Sequence, residues 1–123
     1  MKLGQIFKWQ TDKAKGHEIR EKYHVFICNS DGQNLFLFIS SLDYFQDYKL
    51  EKSPDHEFLD YDSYVSCNSV IPYTDAELSL FDPNPIGQLT PANMKGLRDA
   101  LIAAQSMPTG DLNIVCKALA AAL

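Results

Sequence analysis

Residues 13–41, KAKGHEIREKYHVFICNSDGQNLFLFISS, decide how this chain is read. The stretch opens on a polar, basic run, KAKGHEIREKYH (13–24), that packs two histidines among three lysines and an arginine. It then becomes apolar in two runs, VFIC and NLFLFI, on either side of Asn29-Ser30-Asp31-Gly32. Asp-Gly between β-favouring runs signals a hairpin, because glycine accepts the positive φ that a tight turn requires. The expected arrangement is a flexible cationic loop reaching to about Lys22, anchored on hairpin strands near residues 23–28 and 35–40. Val25 and Ile27 alternate with Phe26 and Cys28, so neither face of the first strand is polar. Such a strand is covered on both sides or belongs to a closed barrel. Loops held on rigid scaffolds carry function disproportionately, and this one is the first place to look.

Working outward, residues 4–9 form a first strand with Ile6 and Phe7 as its apolar members. Residues 41–62, aromatic and acidic and broken by Pro54, are mostly loop with at most a short strand. Loops of that length in a small domain are uncommon and often functional. Residues 63–71 regain β character through Tyr64, Val65, Cys67 and Val70. Thr74-Asp75-Ala76-Glu77 has capping-box spacing for one or two helical turns. Residues 86–89 are a last extended piece. Thr90 and Pro91 then cap a helix over 91–106, whose Met94, Leu97, Leu101 and Ala104 make one apolar stripe. Gly96 weakens that helix by about 1 kcal/mol relative to alanine, which packing must offset. A second helix is expected from about Asp111. The order predicts an α+β, mostly β domain spanning 1–123: a small antiparallel barrel or sheet with C-terminal helices.

Composition agrees with one globular domain of 123 residues that are 46% hydrophobic. No run reaches the length of a membrane span, and MKLGQIFKWQ lacks the apolar core of a signal peptide, so a cytoplasmic protein is expected. Cys28, Cys67 and Cys116 lie in apolar runs without C-x-x-C spacing and read as reduced core thiols rather than zinc ligands. The net charge of −5 is unevenly spread. Residues 1–24 carry six basic and three acidic side chains, and the remainder five and thirteen. That excludes a general nucleic-acid coat but suits a local anion site, while the acidic remainder suits a basic partner.

Several segments together resemble the PemK/MazF/Kid group of toxin endoribonucleases. They are Gly4-Gln5-Ile6-Phe7, Lys15-Gly16-His17-Glu18, Val25-Phe26-Ile27, residues 36–41, residues 63–68, and Ile86-Gly87-Gln88-Leu89-Thr90, in the family's order across most of the chain. The resemblance implies an SH3-like barrel with a C-terminal helix and metal-independent cleavage of single-stranded RNA by attack of the 2′-hydroxyl. It further implies no cofactor, a cognate antitoxin partner and a homodimer. The chain departs from the family where chemistry is usually placed. Tyr23-His24 stands where an Arg-Pro pair is usual, Ser66 and Asn68 where an Arg-x-Asp-type pair lies, and Ser40 or Ser41 where a threonine follows the third strand.

RNA cleavage of this kind needs a base, an acid and a cation for the phosphorane charge. Histidine titrates near neutrality, and guanidinium donors fit phosphate oxygens. His17 and His24 are therefore the expected acid and base, with His24 on a strand edge and Arg20 as the stabilising cation. Lys15, Lys22, Tyr23, Ser40, Ser41, Ser66 and Asn68 are the expected substrate contacts, and no metal ligand is expected. The plainer reading makes both histidines ordinary surface residues. His56, in an acidic run, reads as solvated, and Asp43, with Ser40 and Ser41 at the end of a strand, either orients substrate or caps the turn. Trp9, Tyr44, Phe45 and Tyr48 are either base-stacking platforms or core and dimer contacts. Two other classes stay open: a catalytically silent barrel that binds a protein or nucleic acid, and a structural domain whose acidic loop docks a basic partner.

Overall fold

The hairpin forms as its turn chemistry dictates. In the computed structural model, which describes residues 1–14, 18–44 and 46–122, β2 (Arg20–Ser30) and β3 (Gln33–Ser40) are joined by Asp31 and Gly32 alone. Both turn residues have positive φ, 51° and 78°, the backbone twist that a two-residue hairpin loop favours. β2 begins three residues before the expected boundary, so Arg20 and Lys22 stand on a strand rather than in a loop. A register shift between Phe26 and Cys28 bulges β2 and increases its local bend.

Among the described residues, seven antiparallel strands make one sheet curled into a half-barrel. β1 (Gln5–Thr11) pairs with β2 on one side and with the short β7 (Gly87–Gln88) on the other. β3 shares its second edge between two strands. β5 (Ser63–Val65) takes the end at Ile39–Ser40, and β6 (Ile71–Tyr73) takes the end at Asn34–Phe36. The single strand expected over 63–71 is thus two, because residues 66–70 leave the sheet between them. β4 (Tyr48–Leu50) closes the order beside β5, and a 3-10 turn at Pro54–His56 interrupts the long loop.

The alternating side chains of these strands fill two separate cores. Ile6, Val25, Leu37, Ile39 and Val65 face α2 (Pro91–Ala104) and α3 (Thr109–Ala121), meeting Met94, Leu97, Leu101, Leu112, Val115 and Leu119. Thr90 caps α2 by accepting from the Asn93 N–H at 3.1 Å. α3 starts at Thr109, two residues earlier than expected, because Pro108 leads directly into the helix. The opposite face is aromatic: Phe7, Trp9, Phe26, Phe36, Phe38 and Tyr73 pack together under Leu78 and Phe81. The latter two flank the end of α1 (Asp75–Leu78), which Thr74 and Glu77 cap reciprocally. Among the described residues, no helix is long and apolar enough to cross a membrane.

Candidate functional site

On β2, residues 20, 22, 24 and 26 share the aromatic face and grade along it from exposed to buried. Arg20 is exposed, Lys22 half-buried, and His24 and Phe26 buried. Where the gradient turns polar, the face opens into a cavity of about 410 Å³. Lys13, Arg20 and Lys22 supply its cations. Ser40 at the end of β3 and Ser66, Asn68 and Ser69 in the excursion between β5 and β6 supply hydroxyl and amide groups. Phe38, Tyr44 and Ile71 add apolar surface, and no described carboxylate lines the cavity.

The three cations differ in their partners. Lys13 pairs with Glu77 at 3.0 Å and Arg20 with Glu18 at 3.1 Å, both at the surface. Lys22 instead donates to Ser40 Oγ at 3.0 Å and lies 5.4 Å from the centroid of the Phe38 ring. Burial, reinforced by the nearby Arg20 guanidinium, holds its ammonium below the ordinary lysine pKa. Exposed ion pairs contribute only about 0–1 kcal/mol, so Glu18 and Glu77 hold these two cations weakly. Tyr44, 65% exposed, offers a ring at the cavity rim. Its backbone N–H donates to Asp47, whose carboxylate also accepts from the Cys67 N–H at 3.0 Å. Asp47 thereby ties the Tyr44 loop to the segment that carries Ser66 and Asn68.

The structure gathers Arg20, Lys22, Ser40, Ser66 and Asn68 from the expected set and separates others. Lys15, His17 and Phe45 lie outside the described residues. Tyr23 points to the other face of β2, where its hydroxyl donates to the Phe58 carbonyl. Ser41 is exposed beyond the cavity lining. His24, expected on a strand edge, stands instead on an interior strand, and its imidazole has no exposed surface. Burial pulls its pKa down to about 4 against the opposing pull of the Lys22 carbonyl hydrogen bond, and the Lys22 cation lowers it further. His24 is therefore neutral at pH 7 and out of reach of a ligand in the cavity. His56 is also buried, contacting the Glu51 carbonyl and Asn93 rather than solvent. Trp9 stacks on Phe81 in the core, and Tyr48 donates to Asn93 Oδ1 at 2.6 Å.

Lys13 and Ser69 line the cavity and Asp47 braces it from outside, and none of the three is among the expected site residues. Lys13 sits in the basic run and was detectable by charge; Asp47 and Ser69 carry no local signal. Among the described residues, no group of histidine, cysteine and carboxylate side chains could hold a metal ion. Burial raises the Cys67 thiol to about 12, which leaves it protonated and inert. No protein-family model matches the chain, and no curated protein matches it.

Proposed function

We propose that this chain is an endoribonuclease toxin of the PemK/MazF type that binds single-stranded RNA along the Lys13–Arg20–Lys22 cavity and cuts it by 2′-hydroxyl attack. The observation that carries the reading is one cavity in which three cations meet four neutral hydroxyl and amide side chains and no described carboxylate. Phosphodiesters want that combination: cations for the non-bridging oxygens and neutral donors that do not repel them. Exposed Tyr44 suits an unstacked base, as single-stranded nucleic acid offers. Arg20 and Lys22 would stabilise the phosphorane charge, and His17 stays the proposed proton-transfer group. The same reading carries an antitoxin partner, a homodimer and a cytoplasmic location.

The burial of His24 favours a second reading, in which the cavity binds RNA without cutting it. With that imidazole shut in the core, the described lining contains neither carboxylate nor imidazole to accept the 2′-hydroxyl proton. One experiment separates the two. The chain is purified without any antitoxin and incubated with a mixed-sequence single-stranded RNA in the presence of a chelator. Cleavage that leaves cyclic phosphate ends and disappears in Arg20→Gln and His17→Ala supports the nuclease. Salt-sensitive binding without cleavage selects the binding module, and failure to bind RNA overturns both.

A further inference from the structure

The aromatic core beneath the cavity contains one continuous polar chain. The Lys13 N–H donates to Thr11 Oγ1 at 3.1 Å, and Thr11 Oγ1 lies 2.6 Å from Tyr73 Oη. Tyr73 Oη is 3.0 Å from His24 Nε2, and His24 Nδ1 is 2.9 Å from the Lys22 carbonyl oxygen. Thr11, His24 and Tyr73 are each at most 5% exposed. Trp9, Phe36 and Phe38 surround the imidazole, with ring centroids 4.5 to 5.9 Å away.

Chemistry orders the protons. The Lys22 carbonyl only accepts, so Nδ1 must carry the hydrogen. A neutral ring then leaves Nε2 as an acceptor facing the Tyr73 hydroxyl, which also bonds Thr11 Oγ1 and receives the Trp9 indole N–H at 3.4 Å. The contacts run unbroken from the Lys13 amide to the Lys22 carbonyl. Both ends of the chain are therefore backbone groups of cation-bearing residues of the cavity. Apolar residues of similar shape would fill this space as well, since a buried polar network adds little net stability over hydrophobic packing. What the polar chain adds is directional attachment. Lys13 lies past the last paired residue of β1, Thr11, and Lys22, paired with Trp9 of β1, lies past the last β2–β3 pair, so that its backbone is held by a neighbouring strand on one side only.

We infer that Thr11, Tyr73 and His24 are positioning residues of the cationic cavity: a buried relay that fixes the backbone of Lys13 and Lys22, and with it the spacing of two phosphate-binding cations. The functional half of this inference rests on the RNA-binding reading above; the structural half stands without it. The relay explains why a histidine occupies the core directly below a cation site, where its own charge would be unwelcome.

Nuclear magnetic resonance of isotope-labelled protein tests it. At pH 7 the His24 ring should carry its proton on Nδ1, the reverse of the form favoured by a free side chain. Tyr73→Phe removes only the hydroxyl. It should disturb that tautomer, move the Lys22 side-chain titration up toward the ordinary lysine value, and weaken RNA binding about two- to ten-fold, the net worth of one hydrogen bond. Thr11→Val, a same-shaped change at the other end, should act in the same direction and replaces Tyr73→Phe if that variant fails to fold. Phe26→Leu loosens the same core at a ring that packs on Phe36 rather than on His24 or Tyr73, and should leave the Lys22 titration in place. An Nε2–H tautomer in the unaltered protein overturns the relay, and so does an unmoved Lys22 titration in both hydroxyl-deletion variants. If the unaltered protein binds no RNA while Lys22 responds as stated, the relay stands and the RNA reading falls.

Discussion

Lys22 and Ser40 meet across the end of the hairpin, one step beyond the last paired residues Tyr23 and Ile39, with Nζ donating to Oγ at 3.0 Å. The hydroxyl is a weak partner for an ammonium, so Lys22 is a cation oriented by a neutral neighbour and left with charge to offer. If Lys13, Arg20 and Lys22 each neutralise one phosphate of single-stranded RNA, log K should fall against log salt with a slope of about −2. Lys22→Gln should flatten that slope by about 0.7. Fluorescence anisotropy across a salt series reads both numbers. A slope near zero in the unaltered protein would point to a protein partner instead.

His24 should make stability depend on acid. Its pKa is lowered from 6.5 to about 4 in the fold, with burial as the main cause. Between those values the unfolded chain binds the proton and the folded chain does not. The contribution is complete above pH 6.5 and is lost as pH falls toward 4, amounting to about 3 kcal/mol at most. Carboxylates titrate in part of the same window, so the comparison is with His24→Gln, which lowers stability overall but should show a shallower loss between pH 6.5 and 4. Urea titrations at intervals of pH measure both slopes. Parallel curves would mean that His24 is already charged in the folded state.

What the sequence discloses and what it hides divide along the range of the interactions. The Asp31-Gly32 turn, the Thr74–Glu77 capping box and the Thr90-Pro91 start of α2 rest on contacts within a few residues, so their signals survive in one dimension. Convergence of Arg20, Lys22, Ser40, Ser66 and Asn68 follows once the strands pair as their patterns suggest. The depth of His24 does not. At the border of a charged run and an apolar strand, an imidazole reads as exposed, and only Tyr73, 49 residues away, and the aromatic neighbours bury it. Asp47 is hidden for the same reason, since its partner Cys67 is 20 residues distant and arrives through β4 and β5.

Gly96 should behave contrary to its helix propensity. A Cβ there would lie 2.7 Å from Tyr48 Cε1 and 2.8 Å from Tyr48 Oη, so the bare α-carbon of α2 makes room for a ring that bonds Asn93 one turn earlier. Gly96→Ala should cost about 1–3 kcal/mol through overpacking, despite the gain of about 1 kcal/mol in helix propensity. With Tyr48→Ala in place the sign should reverse, because only the propensity term remains. A double-mutant cycle by thermal denaturation decides it, and a stabilising Gly96→Ala in the unaltered background would refute the packing argument.

Asp47 carries the last prediction, which links a residue outside the cavity to binding within it. Its carboxylate accepts from the Tyr44 N–H at 3.1 Å and the Cys67 N–H at 3.0 Å. Its own N–H donates to Asp43 at 3.0 Å. Those bonds hold the loop that presents Tyr44 against the excursion that presents Ser66 and Asn68. Removing the carboxylate leaves the Cys67 amide without a partner and frees two walls of the cavity to separate. Asp47→Ala should therefore lower stability by about 1–3 kcal/mol, the penalty for an unsatisfied backbone donor. It should also weaken RNA binding even though it removes a negative charge, a change that electrostatics alone would make favourable. Asp47→Asn keeps one carbonyl acceptor and should fall between the two. Affinity that rises in Asp47→Ala would show that charge outweighs the tether and that the two walls hold their places without it.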